Sequence, residues 1–175
     1  MTEYAAVRDT AGTRPAPDLA TARRIAGAVA DPEVPVLTIA DLGILRDVAV
    51  DGDAVTVTLT PTYSGCPAVD AIRDDVVLAL TQAGFTRVDV RLTLAPAWTT
   101  DWMSEDGKAK LRAYGIAPPT GRAAVRGPIP VTLGVACPRC GTLRTREVSR
   151  FGSTACKALY ECQECGEPFD HFKVH

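Results

Sequence analysis

Apolar residues recur at Leu19, Ala22, Ile25, Ala26 and Val29, the spacing of one helical face, and Asp18 stands where an N-cap belongs. The pattern predicts a helix running to about Ala30. Asp31-Pro32-Glu33-Val34-Pro35 ends it, because proline lacks the amide a helix needs and biases its predecessor toward extended backbone. Ile44 to Val50 reads as a strand. Ala54 to Thr60 alternates Val55, Val57 and Leu59 with Thr56, Thr58 and Thr60, so it should bury one face and leave the other polar. Asp51-Gly52 between these strands predicts a two-residue type I′ turn. Beyond a loop from Pro61 to Pro67, Val69, Ile72, Val76 and Leu80 mark a second helix, with Gly84 at its C-terminal cap. Val88, Val90, Leu92 and Leu94 share one face of a third strand. Trp98 and Trp102 are four apart, suited to a helical turn, and Lys108 to Tyr114 reads as a short helix ended by Gly115.

The order helix, strand, strand, helix, strand predicts a two-layer α/β fold, a three-stranded mixed sheet with helices on one face. Residues 1–17 read as a loose tail and 18–115 as the α/β unit with an extension. Residues 116–130, with Pro118, Pro119, Gly121, Gly127, Pro128 and Pro130, have the composition of a linker. Residues 131–175 form a separate, cysteine-rich unit.

In that unit Cys137-Pro138-Arg139-Cys140-Gly141 and Cys162-Gln163-Glu164-Cys165-Gly166 are two CxxC knuckles, 21 residues apart. Two residues between ligands let one tight turn present both sulfurs to one ion. Two such turns close a tetrahedral four-thiolate shell, which zinc prefers. The expected structure is a C-terminal zinc ribbon with Cys137, Cys140, Cys162 and Cys165 as ligands. Four thiolates leave no open position, so this zinc should hold the fold rather than do chemistry. A unit this small buries little core alone, and zinc can contribute about 10–16 kcal/mol to its folding. Cys156, on an extended strand, would lie roughly 20 Å from Cys162, too far to share the ion. It reads as a buried thiol or a second functional one. His171 and His175 read as solvated C-terminal residues more readily than as ligands.

Hydrophobic residues make up 46% of the chain, enough for a true core. Residues 1–115 hold 11 Lys/Arg against 16 Asp/Glu, and residues 131–175 hold 6 against 5. No basic stripe points to nucleic acid, and no apolar run approaches the ~18 residues of a membrane helix. The first residues lack an apolar signal core. A cytoplasmic location is expected, where six cysteines serve metal binding or reactive thiols rather than disulfides.

The sixth cysteine, Cys66, precedes Pro67 at the start of the second helix. As N-cap it would meet unpaired amides and the helix dipole, which lower a thiol pKa. A Thr62 or Ser64 hydroxyl could donate to its sulfur. No histidine near it in sequence suggests a cysteine hydrolase. Asp31 and Glu33 are possible ligands, or simply turn and capping residues.

Asp31-Pro32-Glu33-Val34-Pro35, Asp41-Leu42-Gly43-Ile44 and Thr62-Tyr63-Ser64-Gly65-Cys66-Pro67 together resemble the SufT-like metal–sulfur cluster assembly family over about residues 18–95. The resemblance implies that Cys66 is the functional thiol and that the acidic segment is Asp31 with Glu33. Ala95 to Met103, Tyr114 to Pro119, Phe151 to Tyr160 and Glu167 to Phe172 resemble the PaaD (PaaJ) family, the D component associated with phenylacetyl-coenzyme A ring-epoxidising monooxygenase. That resemblance implies an accessory role, not catalysis, in aerobic phenylacetate breakdown. The chain would mature or repair a metal centre in the oxygenase components that are its partners. Candidate ligands for transient iron or an iron–sulfur cluster are Cys66, Cys156, Asp31, Glu33 and Thr62. Homodimerisation is also implied. The alternative is a scaffold that docks components without handling iron, using Trp98, Trp102, Phe169 and Phe172 as anchors.

Overall fold

A computed structural model describes residues 17–120 and 134–174. The expected tail apart from Pro17, most of the expected linker, and His175 lie outside the described residues.

Helix α1 (Leu19–Gly27) starts where Asp18 Oδ1 accepts the Thr21 amide at 2.8 Å. It stops three residues earlier than the apolar pattern suggests. Ala30 pairs with Thr38 across an antiparallel bridge, and the Asp31 amide goes to the Leu37 carbonyl at 2.9 Å, so the loop takes the bonds a longer helix would use. Strands β1 (Leu45–Asp51) and β2 (Ala54–Leu59) form the hairpin. Its two loop residues are Gly52 and Asp53, one later than predicted. Only Gly52, at φ +59°, has the positive angle, so the turn has the backbone signature of type II′ rather than I′.

Helix α2 (Ala68–Ala83) crosses over to β3 (Arg87–Leu92), which lies parallel to β2 with Val57 opposite Val90. The sheet order is β1-β2-β3. Both helices pack on it and on each other, which gives the expected two-layer α/β architecture. Val55, Val57, Leu59, Ile72, Val76 and Leu80 fill the space between the layers. The third strand ends at Leu92, short of the Leu94 that the apolar pattern included. Val90 is buried, but Leu92 and Leu94 are exposed, Leu94 at 60%. Strand β3 is an edge of the sheet.

The extension is held by Asp41. Its carboxylate accepts the Thr38 amide and hydroxyl, the Ser104 hydroxyl and the Lys110 ammonium, the last at 2.6 Å. Helix α3 spans Glu105–Ala113, earlier than the predicted Lys108 start, because Ser104 caps it through the Gly107 amide. Trp98 and Trp102 do not share a helical turn. A 3₁₀ turn covers Thr100–Trp102, Trp98 is buried with Nε1 donating to the Leu42 carbonyl at 2.9 Å, and Trp102 lies under the Arg46 guanidinium.

The C-terminal sheet is antiparallel, β4 (Thr145–Ser149), β5 (Lys157–Cys162) and β6 (Pro168–Phe172), in that order. It is docked on the α/β unit. The Ala117 amide donates to the Asp170 carbonyl at 2.8 Å, and the Phe172 amide donates to the Ala117 carbonyl at 2.9 Å. Phe172 packs against Trp98 with ring centroids 6.3 Å apart. Cys156 and Phe172 belong to the same buried cluster as the α/β core. Trp98, Phe169 and Phe172 are therefore used internally and are not free interface anchors. Among the described residues no helix is long and apolar enough to cross a membrane.

Candidate metal centre and thiol site

The two CxxC knuckles converge. The sulfurs of Cys137, Cys140, Cys162 and Cys165 all lie within 4.8 Å of one another, with Cys137 to Cys165 at 3.9 Å and Cys140 to Cys162 at 3.6 Å. Gly141 and Gly166 follow the knuckles at φ +78° and +73°, the left-handed backbone that closes each turn. Their amides return to the Cys137 and Cys162 carbonyls. The Cys165 amide points at the Cys162 sulfur at 3.4 Å, and this hydrogen bond is the main force holding that thiol down at about 7. Four sulfurs within 4.8 Å of one another, two pairs of them near a tetrahedral edge, fit a metal ion. Among the described residues this is the one group of three or more His, Cys, Asp or Glu that comes so close.

The second site gathers around Cys66. The helix starts at Ala68, with Pro67 at the cap position already in helical backbone, so Cys66 sits one residue outside. It is half-buried, not exposed. Burial pushes its thiol above the ordinary value. The Ala68 amide and the Tyr63 hydroxyl pull the other way, while the charges of Glu33 and Asp31 add to the rise. The helix-entrance argument for a lowered pKa thus names a real force that burial and two carboxylates outweigh. The hydroxyl at the sulfur belongs to Tyr63, whose own pKa is driven to about 12 by burial and by Cys66. Thr62 lines a cavity of about 310 Å³ together with Tyr63, Ser64, Thr60, Leu94 and Trp98.

Asp31 and Glu33 lie beside this thiol. Asp31 is buried, and its Oδ1 accepts the Glu33 and Val34 amides, both at 2.8 Å. Burial raises its pKa against those bonds. Burial and the Asp31 charge raise that of Glu33. Cys156 joins them from the C-terminal half. It is 4% exposed, and its sulfur is 3.0 Å from the Thr154 hydroxyl. Burial raises its pKa too, opposed by Thr154, and Glu33 adds to the rise. Glu33 therefore acts electrostatically on Cys66, Cys156 and Tyr63 alike. The nearby cation is Lys157, with a side chain 5% exposed. Its ammonium is 3.9 Å from Asp170, and its charge reaches Asp31, Glu33 and Cys156. Composition and spacing did not flag Tyr63 or Lys157. Tyr63 sits inside the loop from Pro61 to Pro67, whereas nothing in sequence marks Lys157 beyond its place next to Cys156.

His171 is not a solvated residue. It is 7% exposed, its ring meets the edge of Tyr160 at 5.3 Å, and its Nε2 has no hydrogen-bond partner among the described residues. Burial pushes its pKa down to about 4. It belongs to neither cysteine site.

Comparison with known proteins divides the chain in the same way. A family model described as iron-sulfur cluster assembly protein matches residues 23–92, and one described as PaaD zinc beta ribbon domain matches residues 123–173. Cys66, Asp31 and Glu33 fall in the first match and Cys156 in the second. The putative D component of 1,2-phenylacetyl-CoA epoxidase from Escherichia coli (strain K12) is 52% identical over 145 residues, which cover 83% of this chain and 86% of that protein. An Fe-S protein maturation auxiliary factor from Porphyromonas gingivalis is 41% identical over 90 residues, covering 50% of this chain and 85% of that one. The crystal structure of a domain of unknown function, DUF59, from Bacillus anthracis aligns with a TM-score of 0.50 at 29% identity. It covers 53% of this chain and 90% of that chain.

Proposed function

Since the chain belongs to the PaaD family, we propose that it is an accessory component of a phenylacetyl-CoA epoxidase system that delivers iron or an iron–sulfur cluster to its oxygenase or reductase components. Cys66 is the carrier thiol, and Cys156, Glu33 and Asp31 complete its surroundings. The chain is not itself a catalyst. The resident metal of the four-cysteine centre is zinc, held by Cys137, Cys140, Cys162 and Cys165, and its work is structural.

The observation that carries this reading is the pairing of a closed set with an open one. The ribbon cysteines form a complete shell. Cys66 and Cys156 do not, yet both lie in the field of Glu33. An incomplete ligand set binds cargo without trapping it. Both thiols have raised pKa values, so at neutral pH they rest protonated. Loading iron expels a proton from each sulfur that bonds to it, and the incoming positive charge takes the place of those protons beside Glu33 and Asp31. Protonation of the sulfurs releases the cargo by the reverse step. The name of the Porphyromonas gingivalis relative supports the iron–sulfur role, and that of the Escherichia coli relative supports the choice of partner.

The test is anaerobic co-expression with the oxygenase components, followed by zinc, iron and sulfide analysis. Cys66→Ser should keep one zinc per chain and lower the iron or sulfide in the partner. Full metallation of the partner by this variant would refute the carrier role. It would leave a scaffold that docks components without iron.

A further inference from the structure

We infer that zinc in the ribbon governs the thiol site: the filled cysteine quartet holds Cys156 in the α/β core, and emptying it withdraws that thiol. The effect on cargo rests on the carrier reading above, but the positional claim does not.

Two strands of the ribbon, the central β5 and the edge β6, link the cysteine quartet to the thiol site. Strand β5 ends at the ligand Cys162 and begins at Lys157, directly after Cys156. Strand β6 leaves the knuckle of Cys165 and Gly166 at Pro168 and ends at Phe172 against Trp98. The strands pair in register from Glu161 with Pro168 to Lys157 with Phe172, and the Lys173 amide closes on the Cys156 carbonyl at 3.0 Å. The register of this ladder at its far end is therefore set by the geometry of the sulfurs at its near end.

Apart from the docking of Cys156 and Phe172 on the α/β core, the ribbon has little else among its described residues to hold it. Its own buried cluster is Ala117, Val135, Cys137, Cys162 and Phe169, and two of these five are metal ligands. A three-stranded sheet with so small a core depends on its ion. The α/β unit, in contrast, keeps Ile72, Val76, Leu80, Val55 and Val57 without help from the ribbon. Loss of zinc should thus be felt at Cys156 and Phe172 while β2 and α2 stay folded. The site would then be reduced to Cys66 beside Asp31, Glu33 and Tyr63.

The experiment uses the full chain, kept anaerobic, with zinc bound, removed by chelation, and restored. Alkylation of each cysteine by iodoacetamide is followed by mass spectrometry, with amide hydrogen exchange of β2 in parallel. With zinc bound, Cys156 should react far more slowly than Cys66. Removal should speed Cys156 by at least about tenfold, leave β2 protected, and be reversed by added zinc. Two results overturn the inference. In one, Cys156 stays protected in metal-free chain whose quartet has become reactive. In the other, β2 loses protection together with Cys156, so that zinc acts on the whole fold. Failure of the zinc-loaded chain to bind ferrous iron would count against the carrier role and leave this positional result standing.

Discussion

His171 can be perturbed without a mutation, because acid alone protonates it. Burial lowers its pKa from 6.5 to about 4, against a small opposing pull from Glu147. The unfolded chain then binds the proton more tightly than the folded one, so acid favours unfolding. The sign follows directly. The contribution of His171 is complete above pH 6.5, falls as the pH drops below that value, and levels off beneath about 4. In full this difference amounts to about 3 kcal/mol, of which about 2 kcal/mol is lost by pH 5. The position matters because the Ala117 bridge that docks the ribbon is made at His171. The chain has two histidines, so the ring protons can be followed by NMR. His171 should stay neutral through pH 5. Denaturant melts of the wild type and His171→Leu at pH 7.5 and 5 give the energy. Acid also strips thiolates from zinc, but both proteins share that loss, and it cancels in their difference. The wild type should lose about 2 kcal/mol more than the variant. A His171 resonance titrating near 6.5, or an equal loss in both proteins, would refute the reasoning.

Tyr63→Phe removes the hydroxyl that favours the Cys66 thiolate, so Cys66 should alkylate more slowly at neutral pH with the fold unchanged. Glu33→Gln should act oppositely and speed both Cys66 and Cys156, since its charge raises both thiols; pH–rate profiles of the two cysteines check this. Gly43→Ala should destabilise by about 2 kcal/mol or more in thermal melts, because the backbone there has φ +72° and the new Cβ would meet the Trp102 carbonyl. Asp41→Ala should cost about 2 kcal/mol and loosen α3 first, seen as faster hydrogen exchange from Glu105 to Ala113, because one carboxylate ties Thr38, Ser104 and Lys110.

Local chemistry was legible in the sequence, and contacts between distant segments were not. The CxxC spacing and its glycines led to the metal quartet, since each knuckle is a turn of five residues with its own geometry. The α/β order was equally readable, because periods of 3.6 and 2 are local properties. Periodicity names a face but not what covers it, which is why Val88, Val90, Leu92 and Leu94 could be grouped while the exposure of Leu92 and Leu94 could not be read. The hairpin slipped by one residue because a glycine suits either loop position, and ladder register decides between them. The burial of Cys156 is one of the two readings the sequence left open, whereas that of His171 was misjudged. Their burial comes from docking of the ribbon on Trp98 and Ala117, a contact that no spacing within the ribbon encodes. A trace existed for His171. It alternates with Phe169 on one strand, and both are buried. For Cys66 the position was readable and the sign of the pKa was not, because helix entrance and burial compete and only the fold sets their balance.

The docking of β6 on Trp98 also has a consequence for how the protein is made. Cys66 leaves the ribosome 106 residues ahead of Phe172. At about 5–20 residues per second, synthesis leaves a gap of roughly 5 to 20 s. During that interval the nascent α/β unit carries its thiol beside a hole where Cys156 and Phe172 belong. Any oxidant or thiophilic ion present then meets Cys66 before its neighbours exist, so the cell's handling of free metal matters most to this protein before its last strand is complete.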